Sequence, residues 1–314
     1  MTGITRRHAC GLLGCGMVLP LSAFCGSDSP DPDRSLPTAS GDGATPLHFL
    51  SLRDVARLIE ARELSPVELT RAMLDRIEAV DGRLKSYATV MAEQAMTAAR
   101  TAEREIQGGT YRGVLHGVPV AVKDLCYTKG VRTMGGMAVR ADFVPDHDAT
   151  VVSRLAAAGV VLLGKLNLTE GALGSYHPDF DRPINPWGET LWAGVSSSGS
   201  GVATAAGLCF GSLGTDTGGS IRLPSMANGI VGLKPTYGLV SRRGVIPNSY
   251  TFDHCGPMTW TVEDCAIMLG AVAGHDPADP ASADVAIPDY RAALTGDIRG
   301  LRIGVVRHFW EEDL

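Results

Sequence analysis

Apolar positions recur every three or four residues in the first part of the folded region, which predicts helices. The apolar residues of the first predicted helix, which Ser51 caps, share one face: Leu52, Val55, Leu58 and Ile59. A second helix is predicted to begin at Ser65 and Pro66, because serine favours the N-cap and proline the first helical position. Its apolar stripe consists of Leu69, Met73, Ile77 and Val80. A third helix is predicted over residues 92–106.

Further along the chain, short apolar runs alternate with helical segments. The run over residues 118–122 is rich in β-branched residues and predicts a buried strand. Helices are also predicted at 150–158, 202–208 and 261–272, with Val262 and residues 266–269 facing inward. Strands are predicted at 160–163, 210–213 and 301–306. This alternation favours an α/β fold in layers.

The first 46 residues have a different composition from the rest. Arg6 and Arg7 precede a short apolar stretch, which is typical of an export signal over residues 1–25, of the twin-arginine type. Residues 26–46 are rich in Ser, Asp, Pro and Gly and indicate a disordered linker before a domain over residues 47–314. We therefore expect a periplasmic or extracellular protein. Lipid anchoring through Cys25 is disfavoured by the bulky Phe24, and a wrongly chosen start codon before a cytosolic enzyme is the alternative.

Composition narrows the classes of function. Apolar residues make up 45% and charged residues 20% of the 314 residues, as in an ordinary folded domain. A formal net charge of −6 argues against nucleic-acid binding, and no membrane span is predicted after the signal. No C-x-x-C or H-E-x-x-H motif is present, so no metal site is predicted. Whether the four cysteines after the linker form disulfides stays open.

Residues 194–225 contain the candidate chemistry. Ser196, Ser197 and Ser198 lie in one glycine-rich turn, and a second such turn, Gly218-Gly219, ends in Ser220. Backbone amides of such turns can converge on an anion, which suits a nucleophilic serine beside an oxyanion hole. A serine nucleophile needs a base, and Lys123 follows the apolar run over residues 118–122. Burial lowers the pKa of a lysine, and the neutral amine can accept a proton.

These motifs, in this order, resemble the amidase signature family. The resemblance rests on three segments: residues 116–124 (HGVPVAVKD), residues 164–167 with Glu170, and residues 194–225. It covers residue 47 to the end of the chain and implies a layered fold with a central mixed β-sheet flanked by helices. It also implies a Ser-Ser-Lys triad of Lys123 as base, Ser196 as bridging serine and Ser220 as nucleophile. Backbone amides of four residues would form the oxyanion hole: Thr217, Gly218, Gly219 and Ser220.

Other polar residues near the triad are assigned supporting roles. Ser197 and Ser198 could bind Lys123 or shape the turn, and Asp216 and Arg222 are expected to brace the Ser220 loop rather than contact substrate. Asp124 follows Lys123 directly, so its side chain should point to the opposite face. The resemblance further implies a cis peptide bond before Ser196. Taken singly, each serine could be ordinary turn chemistry.

The expected function is hydrolysis of carboxylic acid amides through an acyl-enzyme, without a cofactor. The expected partner is a small-molecule or peptide amide substrate, and a homodimer is possible. Family members normally continue beyond residue 314, so the resemblance implies a chain truncated at its C-terminal end. Two alternatives stay open. One is the amidase subunit of a tRNA-dependent amidotransferase, which an export signal disfavours, and the other is an inactive truncated fragment.

Overall fold

The structure, a computed structural model, describes residues 45–304. This part of the chain contains seven α-helices: α1 (Leu52–Glu60), α2 (Pro66–Leu84), α3 (Ala92–Gln107), α4 (Thr150–Ala157), α5 (Ser198–Ala205), α6 (Arg222–Asn228) and α7 (Val262–Val272). It also contains six strands: β1 (Tyr87–Val90), β2 (Pro119–Lys123), β3 (Val161–Leu166), β4 (Gly211–Asp216), β5 (Val231–Gly232) and β6 (His254–Thr259). The predicted export signal (residues 1–25) and residues 26–44 of the predicted linker lie outside the described residues.

The strands form one mixed sheet in the order β1-β3-β2-β4-β6-β5. β2 is parallel to both of its neighbours, β3 and β4, whereas β1, β6 and β5 are joined by antiparallel pairing. The carboxyl ends of the three parallel strands therefore reach the same edge of the sheet, where ligand sites of α/β folds commonly lie. The expected α/β class with a mixed sheet and flanking helices is confirmed.

The two helix starts predicted from capping residues are confirmed. Ser51 Oγ accepts a hydrogen bond from the Asp54 amide at 3.0 Å, and α1 begins at the next residue. Ser65 Oγ accepts from the amides of Val67 and Glu68, with Pro66 as the first residue of α2. Each cap satisfies backbone donors that the first helical turn leaves without an intrahelical partner.

The central strand β2 is buried over its whole length, including its terminal lysine. Val120, Ala121 and Val122 have no exposed surface and belong to the main apolar cluster. Burial of a valine side chain stabilises a fold by roughly 1.5–3 kcal/mol. The predicted buried strand is therefore confirmed, and packing on both faces holds its position.

Several boundaries differ from the predictions. α5 begins at Ser198, not at residue 202. Its first turn contains glycines that allow close contact with neighbouring backbone, since a Cβ on Gly199 would lie 2.4 Å from the Asn167 carbonyl oxygen. The inward placement of Val262 is wrong, since its side chain is 57% exposed at the start of α7. Residues 301–304 form no strand and are exposed. They pair with none of the six described strands, and the rest of that predicted strand lies outside the described residues.

Among the helices of residues 45–304, none has the length and apolar content that crossing a bilayer requires.

Candidate active site

Lys123 lies at the carboxyl end of β2, and its side chain is fully buried. Its Nζ donates hydrogen bonds to three hydroxyl oxygens: Ser196 Oγ at 2.7 Å, Ser197 Oγ at 2.9 Å and Thr215 Oγ1 at 2.8 Å. Two of these hydroxyls belong to the serine turn before α5, and the third belongs to β4. The amine is thus surrounded by neutral oxygens that can both donate and accept protons.

Burial lowers the pKa of Lys123 from 10.5 to about 7, because the ammonium form loses its hydration inside the protein. The nearby thiols of Cys126 and Cys255, followed by the carboxylates of Asp216 and Asp253, act in the opposite direction and are outweighed. At neutral pH a substantial fraction of Lys123 is therefore neutral and able to accept a proton. An exposed lysine would be almost wholly protonated at this pH.

The serine turn is held by close backbone packing. Gly194 has a φ of 77°, and a Cβ there would lie 2.3 Å from Pro224 Cα, so a larger residue does not fit. The peptide bond between Val195 and Ser196 is cis, as the resemblance implies. Ser197 binds β4 as well as Lys123: its Oγ accepts from the Thr215 amide and donates to the Thr215 carbonyl. Ser197 thereby joins the turn to the sheet.

Ser198 does not contact Lys123. Its buried Oγ accepts a hydrogen bond from the Tyr176 hydroxyl at 2.7 Å. Of the two roles expected for Ser198, binding to Lys123 and shaping of the turn, the geometry agrees with the second.

Ser220 meets the serine turn through its backbone, because the Ser197 amide donates to the Ser220 carbonyl at 3.2 Å. The Ser220 side chain is partly exposed, unlike those of Ser196 and Ser197. The structure therefore brings the Ser220 loop against the turn that holds the bridging-serine candidate Ser196. The transfer of a proton from Ser220 to Ser196 belongs to the proposal below.

Asp216 organises the Ser220 loop from within. Its buried carboxylate accepts hydrogen bonds from the amides of Gly219 (2.7 Å) and Ile221 (3.1 Å) and from the Arg222 side chain (2.9 and 3.0 Å). Burial raises the pKa of Asp216, but the bonds from Arg222 and these amides outweigh it and lower the pKa to about 2. Asp216 and Arg222 thus have the geometry of a brace on both sides of Ser220.

One of the four amides assigned to the oxyanion hole is already engaged. The Gly219 amide donates to Asp216 Oδ1, because the loop folds back over the end of β4. The amides of Thr217, Gly218 and Ser220 are the remaining donors of that expected set. The Thr217 hydroxyl donates to Asp253 Oδ1, which ties this loop to the segment before β6.

The sequence interpretation missed two contributors to the site, Thr215 and Tyr176. It also did not predict that Asp124 pairs with Lys165. Both residues are buried, with 3.2 Å between Lys165 Nζ and Asp124 Oδ1. Lys165 Nζ also donates to the Cys126 carbonyl and to Thr133 Oγ1. Asp124 therefore has partners other than those of Lys123.

Within residues 45–304, no group of three or more His, Cys, Asp or Glu side chains is arranged to hold a metal ion. The four cysteines of this part are buried free thiols: Cys126, Cys209, Cys255 and Cys265.

The chain matches the Amidase family over residues 68–314. It is 52% identical over 264 residues to a putative amidase, AmiD, of Mycobacterium tuberculosis, and the match covers 84% of this chain and 55% of that protein. It is 49% identical over 270 residues to a glutamyl-tRNA(Gln) amidotransferase subunit of Geobacter sulfurreducens, covering 85% and 56% respectively. The solved peptide amidase of Stenotrophomonas maltophilia matches with a TM-score of 0.75 at 40% identity, over 79% of this chain and 53% of that one.

Because the family match extends over most of its residues, this chain belongs to the amidase family. Its fold is shared with amidase-signature enzymes of known structure. The chain spans about half the length of the curated relatives it matches.

Proposed function

We propose that this protein hydrolyses carboxylic acid amides through Ser220, Ser196 and Lys123. The single observation that carries the proposal is the environment of Lys123. A buried lysine with a structural role is normally paired with a carboxylate, as Lys165 is with Asp124. The Lys123 amine instead has three hydroxyl partners and a pKa of about 7, which suits a general base.

In the proposed reaction, neutral Lys123 takes the proton of Ser196 while Ser196 takes the proton of Ser220. The Ser220 oxygen attacks the carbonyl carbon, and backbone amides of the loop stabilise the oxyanion. The C–N bond then breaks, the relay returns the proton to the leaving nitrogen, and an acyl ester remains on Ser220. Water then gives a proton to Ser196 while Ser196 gives its own to Lys123, and the water oxygen attacks the ester carbon. The bond between this carbon and Ser220 Oγ breaks, the proton returns through Ser196 to Ser220, and the carboxylic acid leaves.

The relatives favour a small-molecule or peptide amide as substrate, since they include a putative amidase and a peptide amidase. Similarity to an amidotransferase subunit supports a second candidate, release of ammonia from glutamine within a complex. An exported location favours the first candidate, and export through residues 1–25 stays part of the proposal. A homodimer also stays a prediction.

The nucleophile is tested with a fluorophosphonate, which reacts with activated serines. We expect one label per chain, located on Ser220 by peptide mass spectrometry, and no label in the Ser220→Ala variant. Ser153→Ala, which replaces an exposed serine on α4, is the matched control and should label like the wild type. Unchanged labelling of the Ser220→Ala variant would show that Ser220 is not the nucleophile.

The two candidate activities are separated by substrate and by the proteins that accompany the chain. Hydrolysis of capped amino acid amides by the purified protein alone supports the amidase. Ammonia release from glutamine that depends on co-purifying proteins supports the amidotransferase candidate.

A further inference from the structure

We propose that a cleft between Tyr176 and Trp192 binds an uncharged aromatic or branched aliphatic group of the substrate, and that the Tyr176–Ser198 hydrogen bond holds one wall of this cleft in place. The inference rests on the proposed function, because it names the class of amide that the Ser220 site accepts. Four observations carry it: the Tyr176 contact, the lining of the cleft, its fixed floor and its position beside the serine turn.

Tyr176 connects the segment after β3 to the serine turn. Its hydroxyl donates to the Oγ of Ser198, the first residue of α5, which is fully buried. Ser198 lies two residues after Ser196 in the chain. This hydrogen bond therefore ties the Tyr176 segment to the turn that contacts Lys123.

The cleft has a volume of about 400 Å³ and is lined by Tyr176, Ile184, Leu191, Trp192 and Gly194, among others. This volume lies within the range of small-molecule sites in proteins. Leu191 and Trp192 are 53% and 51% exposed, although both are large apolar side chains. Apolar side chains that line a cleft and stay half exposed are typical of a surface that a ligand covers.

Hydrogen bonds join the floor of the cleft to α6, the helix that follows Ser220. Buried Asn185 donates from Nδ2 to the carbonyls of Trp192 and Ala227. Asn228 Nδ2 donates to the Ala193 carbonyl at 2.9 Å. Two side-chain amides thus hold the backbone of Trp192 and Ala193 at a defined position relative to α6.

The cleft adjoins the serine turn. Its lining includes Gly194, which precedes Ser196 by two residues and packs directly against Pro224 of α6. A group bound between Tyr176 and Trp192 therefore lies beside Gly194, between the serine turn and α6, the helix that follows Ser220. We infer that this group is a side chain of the substrate near the amide that Ser220 attacks.

The charges at this cleft do not select an ion. Arg182 and Glu189, which also line it, are both exposed and have opposite charges. Apart from Thr190, the remaining lining residues are apolar or aromatic, so the cleft favours neutral aromatic or branched aliphatic groups over charged ones.

A pair of capped amides tests this preference: N-acetyl-phenylalaninamide and N-acetyl-glycinamide, which differ by one benzyl group. We expect the wild type to favour the phenylalanine amide by about tenfold or more in kcat/KM, the effect of burying part of one aromatic ring. Trp192→Ala should reduce this ratio to near one, and Trp260→Phe, which replaces a tryptophan outside the cleft lining, should keep it. Because both substrates report on the same enzyme, general damage to folding cancels in the ratio. A ratio unchanged in Trp192→Ala overturns the proposal.

Binding is measured separately from turnover in the Ser220→Ala variant, by the change in tryptophan emission on adding N-acetyl-phenylalaninamide. The proposal requires a saturable change that Trp192→Phe abolishes and Trp260→Phe retains. Binding that persists while the wild type fails to hydrolyse either amide contradicts the proposed function and supports the cleft. Hydrolysis by the wild type without this binding signal overturns the cleft alone.

The role of the Tyr176 hydroxyl is tested by a double-mutant cycle. Tyr176→Phe and Ser198→Ala each remove one partner of the hydrogen bond, and each should lower the benzyl preference by a similar factor. The double variant should lose no more than either single variant, because one contact is removed in all three. Tyr237→Phe, which replaces an exposed tyrosine bonded to the Tyr250 carbonyl, is the control. Additive losses would show that the two side chains act independently and would overturn this part of the proposal.

Discussion

Lys123 Nζ lies 2.7 Å from Ser196 Oγ, and both side chains are withdrawn from solvent. This contact joins the end of β2 to a turn 73 residues later in the chain. The amine has no carboxylate among its hydrogen-bond partners in residues 45–304, whereas Lys165 of the neighbouring strand lies 3.2 Å from Asp124. Two buried lysines on adjacent strands are thus stabilised in different ways, and this difference is the basis of the first two predictions.

The first prediction concerns the pH dependence of hydrolysis. Since burial lowers the pKa of Lys123 to about 7, the neutral amine accumulates above this pH. We expect kcat/KM to rise with pH along one limb with a midpoint near 7. Lys123→Arg should reduce kcat/KM as severely as Lys123→Ala, because arginine keeps the charge but stays protonated. Near-wild-type turnover of the arginine variant would show that Lys123 acts through its charge alone.

The second prediction concerns stability. Below pH 7 Lys123 is protonated in both the folded and the unfolded state, and burial of its ammonium group in the folded state lowers the free energy of unfolding. Between pH 7 and 10.5 only the unfolded state keeps this proton, so the free energy of unfolding rises with pH. Relative to Lys123→Met, the wild type should gain about 2 kcal/mol between pH 7 and 9. Urea unfolding at both pH values measures this gain. If the free energy of unfolding changed by the same amount between pH 7 and 9 in both proteins, a buried, neutral amine would be contradicted.

The third prediction concerns the brace around Ser220. Asp216→Ala leaves buried amides of the loop without an acceptor and should lower the free energy of unfolding by about 2–4 kcal/mol. Arg222→Ala should cost only about 1 kcal/mol, because the arginine side chain is 54% exposed and water screens its interaction. Arg299→Ala, which breaks an exposed pair with Asp297, is the control and should leave stability unchanged. Denaturant unfolding measures all three, and a larger loss for Arg222→Ala than for Asp216→Ala would contradict this assignment.

The fourth prediction concerns export and rests on Arg6 and Arg7. A reporter fused after residue 46 should reach the periplasm of a bacterial host with a twin-arginine pathway. Replacement of both arginines by lysine should retain the fusion in the cytoplasm. Cell fractionation measures the distribution, and cytoplasmic retention of the unaltered fusion would contradict an export signal.

Local features of the chain predicted much of the helical structure. The caps at Ser51 and Ser65 are satisfied by amides two or three residues away, so they operate within one helical turn. β2 was predicted for a similar reason, since a run of buried β-branched residues indicates a strand without knowledge of its neighbours. Three strands were missed: β1, β5 and β6. β1 and β5 have four and two residues and owe their strand conformation to pairing with β3 and β6. β6 contains Gly256 and Pro257, which are unfavourable in strands, and it is held by pairing with β4.

In the candidate site too, some residues have a local sequence signal and others are recognised only from tertiary contacts. Lys123, Ser196 and Ser220 were named from motifs, and the structure places Lys123 and Ser196 in contact. Thr215 was missed because a threonine in a strand has no local signature, and its role follows from the register between β2 and β4. The Tyr176–Ser198 contact also depends on packing between segments 22 residues apart.

The sequence by itself determined the family, the helix starts, the buried central strand and the candidate residues of the site, because each depends on residue type and short spacing. Only the tertiary structure decided which hydroxyls surround Lys123, that Asp124 pairs with Lys165, and that Asp216 takes the Gly219 amide. These contacts depend on which polar groups folding brings together in the interior, from which water is excluded. A buried polar group must then bind whatever partner the packing brings within reach.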